Sequence, residues 1–157
     1  MKRAELVSRA FSEVDGVSLK IVGNGPLREA CESYSNVTTY QGLPVEAVEE
    51  IVERSIGGIA FAEKEHCGLT PKEFQAAGKP VIVPDEPNLF NHVTDGETGV
   101  IVPISIDGIK QGISRILQDD WDPNQIRATA ESWSRDAFRE NARRLVEEIV
   151  SDTELRR

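Results

Sequence analysis

The chain has 157 residues, with 27 acidic and 18 basic side chains, a formal charge of −9 at pH 7, 39% hydrophobic and 29% charged residues. A single domain of this length removes roughly 70% of its unfolded surface from water, so it can hold a core without a disulfide or structural metal, and its acidic balance argues against a main task of gripping nucleic acid or anionic lipid. No apolar run approaches the ~20 residues of a spanning helix, the start "MKRAELVSRAF" is amphipathic rather than a secretory signal, and the cysteines, Cys31 and Cys67, fit a reducing compartment; a soluble, cytoplasmic chain is expected.

Apolar residues at helical spacing, Leu6, Val7, Ala10, Phe11 and Val14, open the chain. Short runs bounded by Gly, Pro or Asp then read as strands: Leu19 to Val22, Val37 to Gln41, Gly58 to Ala62, Pro80 to Val83 and Gly99 to Val102. Helical stripes separate them, with Val45, Val48, Ile51 and Val52 on one, and Ile109, Ile113, Ile116 and Leu117 following the last strand. The tail reads as two helices, the second carrying Phe138, Leu145, Val146, Ile149 and Val150 on one side. This alternation predicts one α/β domain over 1–157, Rossmann-like and three-layered, with a mostly parallel sheet. A doubly wound domain usually opens with a strand, and this chain opens with a helix. A strand ahead of Met1 is therefore expected to be missing and the sheet to end in an incomplete edge, as in one lobe of a larger protein; the alternative is a small domain that simply opens with a helix.

Two segments carry candidate chemistry. In "IVGNGP" a strand leads into Gly23 and Gly25, which allow close backbone approach by a ligand, and Pro26 suits a first helical turn. A dinucleotide fingerprint would need glycine at position 28, where Arg28 stands, so a nicotinamide-type clamp is not expected, and a strand-to-helix turn without a ligand is the plainer alternative. The second segment, "EKEHCGLTPKEFQAAGKPVI", follows a strand and opens a helix, so it sits at the carboxyl end of the sheet, where open α/β folds bind ligands. There Gly68, Leu69 and Thr70 present backbone N–H groups at a helix amino end, an anion site that suits a phosphate. Thr70, Pro71 and Glu73 also satisfy a helix-start rule by themselves, with Thr70 as N-cap, Pro71 first in the helix and Glu73 closing a capping box. A functional Glu73 must instead reach past a phosphate to hydroxyl donors such as a ribose diol. His66, Cys67 and His92 lack zinc-ligand spacing, no P-loop is present, and "DDWD" at Asp119 to Asp122 reads as solvated acids before Pro123 rather than a metal site.

Glu65 and Glu73 are separated by seven residues, within "E-H-C-G-L-T-P-K-E" followed by "F-Q-A-A-G-K-P-V-I". This resembles the E-x7-E signature of retaining GT-B glycosyltransferases, family 4 (glycosyl transferases group 1). "LKIVGNGP", "NVTTYQGLPVEAVEEIVERS", "VTDGETGVIVP" and "ESWSRDAF" resemble that family's flanking segments in the right order. The resemblance covers nearly all of the chain and is confined to the C-terminal lobe, which binds the nucleotide sugar.

The resemblance implies transfer of a mannose- or glucose-type hexose from a nucleoside diphosphate sugar to a glycan or lipid-linked acceptor, with retention and without a metal or other cofactor. Glu65 is the implied catalytic residue, touching donor-sugar hydroxyls. Glu73 is implied to hold the nucleotide ribose, Gly68 to Thr70 and Lys2 the diphosphate, and Leu43 the nucleobase. An acceptor lobe, fused or separate, is the implied partner, and any membrane association is expected to come through the complete enzyme. The isolated lobe is expected to transfer nothing. Two departures stand out: Cys67 occupies a position where the family usually has an aromatic, and Asn91 falls where it has an acid. These support the rival reading, a non-catalytic binding or regulatory module on the same fold. A sugar-nucleotide epimerase of this architecture is a third reading, for which no residue here supplies an epimerisation acid or base.

Overall fold

The computed structural model describes residues 3–63 and 68–154. Its elements run α1 (Ala4–Ser12), β1 (Leu19–Val22), α2 (Arg28–Glu32), β2 (Val37–Tyr40), α3 (Val45–Glu53), β3 (Gly58–Ile59), α4 (Leu69–Ala76), β4 (Val81–Pro84), α5 (Pro87–Phe90), β5 (Gly99–Val102), α6 (Ile106–Gln118), α7 (Pro123–Glu131) and α8 (Arg135–Glu154). Each strand expected from the sequence is present. β3 is shorter than expected, although the Ala60 N–H still donates to Ile82 O at 2.9 Å; beyond it, Phe61 and Ala62 remain buried after the ladder has ended.

All strand pairs are parallel. They fall into two sheets, β1-β2 and β3-β4-β5. Instead of one sheet with an incomplete outer edge, the described strands show a break between β1 and β3.

Two apolar layers flank the strands. On one face Val7 and Ala10 of α1, Cys31 of α2, and Ile109, Ile113 and Ile116 of α6 cluster with Leu19, Val37, Ile82, Val100 and Val102. On the other, Ala60, Ala62, Val81, Val83, Leu89 and Val93 form a second cluster, with Phe74 of α4 against it. β4 is buried along its whole length, as a parallel strand covered on both faces must be. The three-layer α/β reading holds.

Local chemistry sets the helix ends. Ser105 caps α6 by accepting from Gly108 N–H at 3.0 Å, and its buried residues recur every three or four positions. Asp122 caps α7, accepting from Asn124 N–H at 2.9 Å, with Pro123 starting the helix. Asp119 pairs with Arg115 at 3.3 Å, so two acids of "DDWD" serve helix ends. The tail forms the two expected helices, but the apolar side of α8 faces outward, with Phe138 70% exposed. No described helix is long and apolar enough to cross a membrane.

Ile109 is fully buried between the sheets' shared face and α1, whereas no residue of α3 is buried. Ile109→Ala is expected to lower stability by about 2–5 kcal/mol, and Val45→Ala, on α3, to change it by less than about 0.5 kcal/mol. Urea denaturation of both variants checks the contrast.

Candidate functional site

At the carboxyl end of β1, Gly23 takes φ +152° and donates its N–H to Tyr40 O at 2.9 Å. A Cβ added at Gly23 or Gly25 would meet nothing within 4 Å, so this loop is open to approach. Gln41 Nε2 donates to Asn24 Oδ1 at 3.2 Å, tying it to the loop after β2. α2 begins at Arg28 with Leu27 as N-cap, so Pro26 lies in the turn before the helix rather than in its first turn; its fixed φ suits that turn equally well. Leu43 is half-buried and, with Lys20, Tyr40, Ala47 and Ile51, lines a cavity of about 210 Å³ beneath α3 that no residue of α4 lines.

The amino end of α4 departs from the capping-box expectation. Its N-cap is Gly68, in the left-handed conformation at φ +58°, with no side-chain cap. Thr70 and Pro71 are therefore second and third in the helix, and Glu73 is fifth. Glycine allows the chain to enter the helix two residues earlier than Thr70 would, because the left-handed region carries no Cβ penalty for it. Pro71 removes one of the amide donors left over at a helix start, and among the described residues the N–H groups of Gly68, Leu69 and Thr70 have no protein acceptor. Glu73 is exposed, and no described side chain pairs with it. Its helix-start explanation is gone. Lys2, Glu65, His66 and Cys67 lie outside the described residues.

Behind this turn is a group of residues that sequence reasoning did not join. His92 lies against Gly68 so closely that a Cβ there would come within 2.5 Å of its ring. Fully buried Gln75 donates from Nε2 to His92 O at 2.7 Å, and Lys72 Nζ donates to the same carbonyl at 3.1 Å and to Gln75 Oε1 at 2.8 Å. Trp133 meets the His92 ring edge-on at 5.0 Å, and Lys72 Nζ lies 5.4 Å from the Trp133 ring centroid. Burial holds the Lys72 ammonium below the ordinary lysine range. These contacts fix the segment after α5 onto α4 and so brace Gly68 from behind. Asn91, one residue away, donates from Nδ2 to Pro87 O at 2.7 Å and so caps its own helix, α5.

Arg3, next to Lys2, is held by carboxylates. Its guanidinium donates to Glu86 at 2.6 and 3.1 Å, and its Nε lies 3.6 Å from Glu63. These hydrogen bonds hold the Glu86 carboxyl below the ordinary glutamate range. A group whose folded pKa is depressed contributes stability above its unfolded pKa and loses it as pH falls through the folded value. Between about pH 5 and pH 3, the parent chain is thus expected to lose more stability than Glu86→Gln does, as read from urea midpoints.

Gly68→Ala should lower stability by about 1–3 kcal/mol from its left-handed backbone alone, and by more if the His92 ring has to move. Gly25→Ala, in open space, should cost less than about 0.5 kcal/mol. Denaturation of the two variants side by side tests whether the bracing is specific to Gly68.

Comparison with known proteins agrees with the fold. A search of curated proteins returned no match. Among solved structures, the lipopolysaccharide outer core galactosyltransferase WaaB superposes with a TM-score of 0.77 at 19% identity, over 94% of this chain and 45% of that one. Sucrose-phosphate synthase from Thermosynechococcus elongatus gives 0.74 at 20% identity, over 96% and 43%. The pneumococcal O-GlcNAc transferase GtfA, solved with UDP and GlcNAc, gives 0.73 at 20% identity, over 94% and 32%. The chain thus spans less than half the length of each, and its fold is a Rossmann-like lobe of the GT-B type. The sequence profile described as glycosyl transferases group 1 matches residues 1–144, so nearly the whole chain is covered, and the chain belongs to that family.

Proposed function

We propose that the chain is the donor-binding lobe of a retaining, metal-independent glycosyltransferase. It would move a mannose- or glucose-type hexose from a nucleoside diphosphate sugar to a glycan or lipid-linked acceptor. One observation carries this reading: among the described residues the N–H groups of Gly68, Leu69 and Thr70 at the start of α4 have no acceptor, and one turn on the helix presents an exposed Glu73 with no described partner. The amides and the helix dipole suit a diphosphate, and a carboxylate beyond it suits a ribose diol.

In this reading the sugar's anomeric carbon loses its bond to the diphosphate, which leaves with the electron pair, and gains a bond to the acceptor hydroxyl oxygen, whose proton passes to the departing diphosphate. The Gly68 to Thr70 amides, with Lys2, stabilise the departing charge and supply the positive potential that a cation would otherwise provide. Glu73 orients the nucleotide, Glu65 contacts the donor-sugar hydroxyls, and Leu43 lies toward the base. A second lobe, fused or separate, brings the acceptor, so this lobe alone binds nucleotide and transfers nothing.

A non-catalytic module is the second reading, and one observation favours it. Asn91, where the family has an acid, commits its amide to capping α5. Calorimetric titration of the chain with UDP, GDP and ADP, beside Glu73→Ala, separates the two. A donor lobe should bind one of the three, and Glu73→Ala should weaken that binding about tenfold, or about 1.4 kcal/mol. Binding of none, or binding indifferent to Glu73, would favour the module.

A further inference from the structure

We propose that Trp133, in the turn between α7 and α8, is a positioning residue for the amino end of α4: through the His92 ring it holds Gly68 in the left-handed conformation that aims the Gly68 and Leu69 amides. That these amides take a diphosphate rests on the reading above, but the hold on Gly68 does not. Rotation at Gly68 decides where both amides point, since φ turns its own N–H and ψ swings the peptide plane that carries the Leu69 N–H. Glycine has no Cβ to restrict either angle, so the restriction has to come from the residues packed against it.

His92 is packed there. A Cβ at Gly68 would lie 2.5 Å from Cδ2 and Nε2 of the imidazole and 3.2 Å from its Cγ, so that edge of the ring touches the glycine backbone. The main chain of His92 is fixed separately: its N–H donates to Leu89 O at 3.1 Å, and its carbonyl accepts from Gln75 Nε2 at 2.7 Å and from Lys72 Nζ at 3.1 Å. None of these bonds involves the ring, whose χ1 and χ2 they leave open. Trp133 meets the ring edge-on, with centroids 5.0 Å apart and planes at 66°, an arrangement that aromatic pairs favour. The imidazole that touches Gly68 is therefore also in contact with the Trp133 indole.

Trp133 is itself held on α4 and α7. Its N–H donates to Ala130 O at 3.0 Å, which continues the last turn of α7, and one helical turn earlier the Thr129 hydroxyl reaches Gln75 Oε1 at 3.5 Å. Lys72 Nζ sits 5.4 Å from the centre of its ring. Gly68, Lys72 and Gln75 fall at the i, i+4 and i+7 spacing of one helix face, and each of them contacts His92. A tryptophan that only filled a core would be covered, but Trp133 is 50% exposed, and the ring contacts described for it are with His92 and Lys72. Since α8 begins at Arg135, the same contact ties the Gly68 turn to the place where α8 leaves the domain.

Variants of the full chain test this. Trp133→Leu keeps apolar bulk and loses the ring edge, Trp133→Phe keeps an aromatic edge, and His92→Leu keeps the carbonyl's hydrogen bonds and loses the imidazole. The first readout needs no nucleotide: the backbone carbon chemical shifts of Gly68, which follow its φ and ψ. They are expected to move in Trp133→Leu, to return toward the parent values in Trp133→Phe, and to move no further when Trp133→Leu is added to His92→Leu. The second readout is calorimetric titration with UDP, GDP and ADP. The nucleotide that the parent chain binds is expected to bind about tenfold more weakly to Trp133→Leu and within about twofold of the parent to Trp133→Phe. Coupling is reciprocal, so in a Trp121→Phe background, which leaves Trp133 as the chain's one tryptophan, that nucleotide is expected to change the Trp133 emission. Unmoved Gly68 shifts in Trp133→Leu, or an equal movement with and without the His92 ring, would overturn the proposal. So would equal nucleotide affinity in Trp133→Leu and the parent, or an emission that bound nucleotide leaves unchanged. Loss of the cooperative urea transition in Trp133→Leu would overturn it as well, because Trp133 would then hold the fold rather than the turn. A parent chain that binds none of the three nucleotides, while its Gly68 shifts still follow Trp133 through His92, sinks the donor-lobe reading and keeps the proposal.

Discussion

The packing of α1 on α6 joins two sheets that share no described backbone hydrogen bond. Val7 and Ala10 meet Ile109, Ile113 and Ile116 over strands from both sheets. An apolar contact can span such a break because it depends on area removed from water rather than on direction, whereas a backbone ladder requires a partner strand in register. The position of α1 then propagates toward the candidate site. Its amino end carries Arg3 to Glu86, Glu86 is the N-cap residue of α5, and the segment after α5 places His92 against Gly68. A contact made on one face of the sheets is thereby linked to the backbone conformation at the amino end of α4.

Most of the fold was legible because its signals are local. Five runs of β-branched residues between Gly, Pro and Asp became five strands, and the Ile109–Ile113–Ile116 stripe became a buried helix face. The position of the strand break was not legible, since β1 and β3 each read as ordinary strands and pairing is a relation between distant segments. Nor was the exposure of α8. Periodicity reports that Phe138, Leu145 and Val146 share a side, and carries no information about what covers it.

The candidate site was legible to the same depth. Gly68, Leu69 and Thr70 were marked by type and spacing, and among the described residues their amides have no acceptor. The capping-box pattern at Thr70, Pro71 and Glu73 was misleading, because Gly68 reaches a backbone conformation that lets the helix begin earlier than its usual start residues would. The bracing by Gln75, Lys72, His92 and Trp133 had no local signature. Those residues come from three separated stretches of chain, and Gln75, near the end of α4, is a polar residue that is buried because its hydrogen bonds are met, which no local pattern reveals.

The arrangement of contacts along the chain also sets an order of assembly. β3, α4, β4, β5 and α6 are joined by short crossovers, so their mutual contacts close small loops. The contacts of α1 with that half span far more sequence: Lys110 pairs with Glu13 across 97 positions and Arg3 with Glu86 across 83. Loop closure over such separations must be met before the contact returns any stabilisation. Pairings within each half close loops of similar size, Leu19 with Val37 in one and Gly58 with Val81 in the other, so the docking of α1 on the later half is the step that carries the long closures.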